Sequence, residues 1–306
     1  MRISILFLLI VATTLSWAQS DRGVITGLVA DQTGAMVAGA TIRAVNNSTK
    51  VEVSTTSTSS GSYTIPSVAP GTYTIVVESP GFKQLRRTNV VVAAGSTVAA
   101  NAALEVGQVS ESISVESSAV QLQTETSKTS TAVNSRQVDE LPLVVGGAMR
   151  GAFDLALIAP QASKPQGAPG GEDKAFSIGG GQAASYGATL DGVSVLTGRF
   201  NSVEWANVNT PSVDALTEFS VETNGFKAEY GRGSGGMITF ASKSGTNEFH
   251  GTAYEFLRNN VLDARRFFEA KRGTYKQNDF GFSAGGPVFI PKFYDGRNKT
   301  FVFGAM

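Results

Sequence analysis

Residues 228–251 read AEYGRGSGGMITFASKSGTNEFHG. A glycine-rich run at 231–236 leads into a short apolar segment at 237–241, a polar turn at 243–247 and a new alternating segment from Glu248. A short apolar run before a Gly-containing polar turn and an alternating run after it predict two strands. The change of texture across the turn predicts a domain boundary, with one unit ending at residue 245 and another starting at 246.

Downstream of that boundary, residues 248–258, 279–290 (interrupted by Gly285-Gly286-Pro287) and 299–304 are strand candidates. Their alternation suits membrane barrel strands of about 9–11 residues. Upstream, residues 132–245 mix element types and predict an α+β domain. Helical stretches are expected at 135–141, ended by Pro142, and at 151–158, stopped by Pro160, with a helical turn at 211–216. Short strands are expected at 176–178, 189–193, 218–222 and 237–241, and Asp191-Gly192 suits a hairpin turn. Residues 106–131 are polar and read as a linker with one embedded strand at 110–116. Residues 22–105 hold seven short candidate strands, at 24–29, 40–45, 50–55, 61–65, 71–77, 90–92 and 98–104. Each has one apolar face and one rich in Thr and Ser, the pattern of an all-β sandwich whose two sheets share a core. Tyr63 and Tyr73 are read as strand packing residues rather than exposed stacking platforms.

Composition narrows the function classes. The 306 residues carry 25 basic and 25 acidic side chains, so no charge imbalance argues for nucleic acid. Cysteine is absent, so no disulfide framework holds the domains. Arg2, the apolar run 3–11 and the small residues Ser16 and Ala18 read as an export signal over residues 1–18. That apolar run is too short to span a bilayer, and no later run approaches the roughly 20 residues a membrane helix needs. Any membrane insertion must therefore use strands.

Two sets of motifs resemble a known family. Val24-Ile25-Thr26-Gly27, Asp31-Gln32-Thr33-Gly34, Gly39-Ala40, Gly61-Ser62-Tyr63, Pro70-Gly71-Thr72-Tyr73 and Pro80-Gly81-Phe82 fall in order and resemble the carboxypeptidase regulatory-like domain, a transthyretin-like sandwich. Lys243-Ser244-Gly245-Thr246-Asn247, Phe249-His250-Gly251, Leu257-Arg258-Asn259, Phe280-Gly281, Gly285-Gly286-Pro287 and Asn298-Lys299-Thr300-Phe301 are similar to the opening of the barrel in Oar-like TonB-dependent outer-membrane receptors. The segment YGATLDGV at 186–193 matches a plug segment of that family. The family's Leu-Pro-Leu-Asn-Gly-Arg segment is here Leu141-Pro142-Leu143-Val144-Val145-Gly146-Gly147, and losing Asn and Arg weakens any family role of that loop.

The resemblance implies an outer-membrane receptor whose barrel of about 22 strands is filled by the plug at 132–245. The regulatory-like domain would lie in the periplasm. The implied partners are TonB, outer-membrane lipid and an external ligand, with carbohydrate as the class that the domain's carbohydrate-binding-like fold suggests. Glu111, Ser112, Ile113, Ser114 and Val115 are similar to the TonB box, an extended segment that pairs with a sheet edge of TonB; the other reading is the first plug strand. Gln182, Ser185 and Tyr186 are the plug-apex candidates for ligand contact. Residues 246–306 give only the first barrel strands, so the expectation is a truncated barrel, a fragment that does not transport by itself. The rival reading is a secreted or periplasmic binding module, a carbohydrate-binding-like sandwich with a degenerate tail.

Enzyme chemistry finds no constellation. The run Gly231-Arg232-Gly233-Ser234-Gly235-Gly236 spells GxGxxG, but a dinucleotide loop follows a strand and opens a helix, and here a strand follows. Lys243-Ser244-Gly245 matches one motif of serine β-lactamases, yet no lysine has a serine three residues before it. His250 is the only histidine, too few for a metal site of His and Cys ligands, and a catalytic triad on it lacks a serine elbow. The basic stretch Arg258, Arg265, Arg266, Lys271 and Arg272 reads as a solvated loop between the first two barrel strands. No catalytic, cofactor or metal residues are assigned.

Overall fold

The computed structural model describes residues 22–107, 112–116, 127–134, 137, 152–163, 177–182, 185–196, 212–226, 230–231, 233–262, 264–265, 270, 272–273 and 276–306. Alternation builds the first unit. Its strands are β1 (Gly23–Asp31), β2 (Thr41–Asn46), β3 (Glu52–Thr56), β4 (Ser62–Val68), β5 (Gly71–Glu78), β6 (Gln84–Val92), β7 (Thr97–Ala99), β8 (Ala102–Leu104) and β9 (Ser112–Glu116). One sheet runs β4-β1-β7, with β8 also paired to β1; the other runs β3-β2-β5-β6-β9. Ile25, Ile42, Ile65, Ile75, Val90 and Leu104 fill the space between them. Each such side chain taken from water contributes about 1.5–3 kcal/mol. Pro66 falls inside β4 rather than ending it. β4 is the outer strand of its sheet, and the pairing shifts register opposite Gly23 and Ile25, so the missing N–H breaks no inner ladder.

The central unit contains β10 (Thr129–Asn134), β11 (Ala162–Ser163), β12 (Ser177–Ile178), β13 (Gly187–Leu190), β14 (Val193–Ser194), β15 (Leu216–Asn224) and β16 (Met237–Ser242). A mixed sheet runs β10-β15-β16-β13-β14, with β13 parallel to β16, while β11 and β12 pair separately. Its core gathers Phe153, Leu155, Ile178, Leu216, Phe219, Ile238 and Phe240. Phe153 and Phe240 meet edge to face with centroids 5.2 Å apart. The helix expected at 151–158 is corrected: the stretch Ala152–Ile158 forms 3-10 turns, while Val213–Ala215 supplies the helical turn expected at 211–216. Seven residues before Pro160 are too few for an α-helix to repay its nucleation. The stretch expected to be helical at 135–141 lies outside the described residues apart from Gln137. The linker expected at 106–131 contributes β9 to the first unit and the start of β10 to the second.

The last unit holds β17 (His250–Asn259), β18 (Lys276–Pro287), β19 (Phe289–Ile290), β20 (Tyr294–Asp295) and β21 (Phe301–Ala305). β17, β18 and β21 form an antiparallel sheet in chain order, and β19–β20 is a small hairpin between the last two. Gly285-Gly286-Pro287 closes β18, and the strand expected over 279–290 breaks after Pro287, with Phe289 and Ile290 in a separate hairpin. Phe249 lies over Gly286 and Phe303 over Gly285, so aromatic rings cover the space that missing side chains leave.

Candidate functional site

The sheet of β17, β18 and β21 has one face that joins hydroxyls with Phe256, Phe301 and Phe303, and another that exposes large apolar side chains. Direct pairs share a face, so Thr252↔Ser283, Tyr254↔Gly281 and Phe256↔Asp279 lie on one side. That side is stitched by hydroxyls: Thr252 and Ser283 lie 2.8 Å apart, and the Tyr254 hydroxyl lies 3.1 Å from Ser212 Oγ of the central unit. This contact identifies the face as the inner one. Tyr254 reaches it because its pair partner is Gly281: a Cβ there would sit 2.5 Å from the tyrosine oxygen. The opposite face carries Leu257, Phe280, Phe282 and Val302, exposed by 62%, 74%, 51% and 57%. Glu255 and, at the end of β18, Lys276 stand on that face too. Polar-in and apolar-out alternation is the pattern of a strand between a lumen and lipid.

The stretch at 231–236 serves backbone contact. A Cβ at Gly236 would lie 2.5 Å from Ile178 Cγ2 and 2.8 Å from the Glu222 carbonyl oxygen, and one at Gly235 would lie 2.9 Å from the Ile178 carbonyl. The N–H groups of Ser234 and Gly235 donate to the Ser185 carbonyl at 2.9 and 3.2 Å. Asp191 (φ 50°) and Gly192 (φ 84°) form the expected turn between β13 and β14. Asp191 also accepts the Ser242 N–H at 3.0 Å, tying the turn to the end of β16.

Among the apex candidates, Gln182 is exposed and Ser185 half-buried, its hydroxyl donating to the Gln182 carbonyl at 2.6 Å. Tyr186 is 4% exposed with its ring against Phe153. Burial pushes its phenol pKa up, and its side chain belongs to the core. Of the TonB-box candidates, Glu111 lies outside the described residues, while Ser112, Ile113, Ser114 and Val115 form β9. β9 pairs in parallel with β6, from Gln84↔Ser112 to Thr88↔Glu116, and Ile113 packs against the sandwich core. Tyr63 and Tyr73 are both buried; the Tyr63 hydroxyl donates to the Ala100 carbonyl at 2.5 Å. His250 sits at the start of β17, its Nδ1 3.0 Å from the Glu248 carbonyl oxygen. No group of metal-ligating side chains occurs among the described residues.

Two contacts have no signal in the local sequence. Lys128 Nζ lies 2.8 Å from Glu222 Oε1 and donates to the Gly95 carbonyl at 3.2 Å, with the two side chains 5% and 2% exposed. Beside this pair, Glu218 accepts the Ala94 N–H. Burial raises the Glu218 pKa, while the Ala94 N–H and the Lys128 charge pull it down. Asn247 is the second: its side-chain amide donates to the carbonyls of Ser48 and Thr49 and to Asn298 Oδ1, and its own oxygen accepts the Asn298 N–H at 2.7 Å.

The comparisons agree with this geometry. A family described as an outer membrane beta barrel domain matches residues 241–306, and the carboxypeptidase regulatory-like domain matches residues 24–105. The TonB-dependent transporter Oar of Myxococcus xanthus is 26% identical over 292 residues, covering 91% of this chain. The chain is similar to the Oar-like TonB-dependent receptors over most of its length. This Oar-like chain spans 26% of the length of that relative, and its place is the outer membrane. Among solved structures, the siderophore receptor PirA of Acinetobacter baumannii is 20% identical with a TM-score of 0.39, covering 52% of this chain and 22% of that one. The group B streptococcus pilus 2b backbone protein is 19% identical with a TM-score of 0.23, covering 28% and 42%.

Proposed function

We propose that this Oar-like chain forms the plugged end of a TonB-dependent outer-membrane receptor that moves an external ligand inward. In this reading residues 132–245 are the plug and 246–306 the first strands of the barrel. Residues 111–115 are the segment that TonB takes by strand pairing. Gln182 and Ser185 stand at the ligand end, with Tyr186 holding their loop from inside. The observation that carries the reading is the sheet of β17, β18 and β21, whose hydroxyl-bearing side touches Ser212 and whose other side exposes Leu257, Phe280, Phe282 and Val302. Open strand edges are not tolerated in lipid, so the reading requires further strands beyond β21 to close the barrel.

The test is to express the complete reading frame of the locus and fractionate the cell envelope. The receptor reading expects the product in detergent extracts of outer membrane, where it retains the purified periplasmic C-terminal domain of TonB. Ser114→Pro should abolish that retention, because proline removes an N–H and stiffens an extended segment. A product found soluble in the periplasm refutes the reading.

A further inference from the structure

β9 has an unusual position for a segment that a second protein must seize. It is the last strand of the five-stranded sheet, lying beside β6 through five parallel pairs. The core of the sandwich is complete without it: the buried cluster comes from residues between Ile25 and Leu104, with Ile113 only partly buried against it. The regulatory-like domain match likewise ends at residue 105. Ser114 and Val115 are exposed, so one side chain, Ile113, holds the described part of β9 to the core. A short terminal strand in parallel pairing is the weakest member of a sheet. It can leave without opening the core, yet while it stays its backbone is committed on one side to β6.

We propose that the regulatory sandwich stores the TonB-contacting segment as β9, and that release of β9 from β6 precedes capture by TonB. This rests on the reading of residues 111–115 as that segment. The sandwich then acts as a latch. The fraction of molecules with β9 released scales the apparent affinity for TonB. Traction reaches the plug, which begins at β10, only after β9 has left the sheet.

These 306 residues contain no cysteine, so an introduced pair has no native thiol in this part of the receptor to compete with it. Arg86 and Ser114 are Cα partners with exposed side chains, so Arg86→Cys with Ser114→Cys fixes β9 on β6 when oxidised. In the full-length receptor, probed with the purified periplasmic C-terminal domain of TonB, oxidation should lower capture by about tenfold or more, and dithiothreitol should restore it. Leu85→Ala thins the seat of Ile113 without touching residues 111–115, and should raise capture several-fold at unchanged far-UV circular dichroism. Capture that is the same oxidised and reduced, while Ser114→Pro abolishes it, overturns the latch and leaves the segment assignment standing. So does a fall in capture with Leu85→Ala, since β9 would then act as a preformed edge. Capture that survives Ser114→Pro removes the segment assignment and the latch together.

Discussion

Replacing Lys128 by methionine tests the contact between sandwich and central sheet. The substitution keeps the length of the side chain and removes its charge. Glu222, 2% exposed, then has no cation beside it, and its second oxygen already lacks a hydrogen-bond partner. Removing one partner of a buried pair costs about 3–5 kcal/mol, because the remaining charge stays in a medium that solvates it poorly. With a urea dependence of about 2 kcal/mol per M, the unfolding midpoint should fall by roughly 2 M. The assay is urea unfolding of the detergent-solubilised chain followed by far-UV circular dichroism. Lys128→Met with Glu222→Leu should recover most of the loss, since apolar replacements of similar size often match a buried pair in stability. Because the pair is buried, the single-variant loss should persist in salt that screens exposed charges. A single-variant loss below about 1 kcal/mol, or a double variant no better than the single, refutes the reading of this buried pair as a stabilising contact.

Three further outcomes follow from the same coordinates. Gly236→Ala should destabilise the central unit by about 1–3 kcal/mol, whereas Gly231→Ala, where a Cβ meets nothing within 4 Å, should be neutral; urea midpoints compare them. Tyr63→Phe removes a buried donor to the Ala100 carbonyl and should cost about 1–3 kcal/mol, seen as a lower melting temperature of the sandwich transition in calorimetry. Glu218 has a folded pKa above its unfolded value because burial disfavours its charge. Its folded form therefore binds the proton more tightly, so stability should rise as pH falls from neutral toward 4.5, and Glu218→Gln should flatten that part of the stability-versus-pH curve.

The strands were legible where a local pattern decides them. β1 and β5 follow from alternation, β16 from its short apolar run, and the Asp191-Gly192 turn from residue types that tolerate positive φ. Partner choice was not legible. Residues 110–116 announce a strand, but nothing in them names β6 as its neighbour; that pairing depends on where the rest of the sandwich leaves an edge. Lys128 sits in a run of Ser, Thr and Glu that reads as solvated. It becomes buried because β10 pairs with β15 and brings it to Glu222, 94 residues away. Asn247 was placed in the turn correctly, but its four side-chain bonds reach Ser48 and Thr49 of the sandwich and Asn298, 51 residues on in its own unit.

The deepest ambiguity concerns sign rather than period. Residues 23–104 and 250–305 both alternate, and a period of 2 predicts strands in each. In the sandwich the apolar set, Ile25, Ile42 and Ile75, turns inward and the Thr-rich set turns to water. In the last sheet the order is inverted: Thr252 and Ser283 bond on the inner side, while Phe280, Phe282 and Leu257 face out. Period alone cannot distinguish these arrangements, because each is the other turned inside out. What breaks the symmetry is one contact from outside the sheet, Tyr254 to Ser212, which marks the hydroxyl side as the side that holds protein. With that side against protein, exposure to water would leave Leu257, Phe280, Phe282 and Val302 as an unpartnered apolar patch. A hydrocarbon environment removes that cost, which is why this inverted alternation fits a strand between a lumen and lipid.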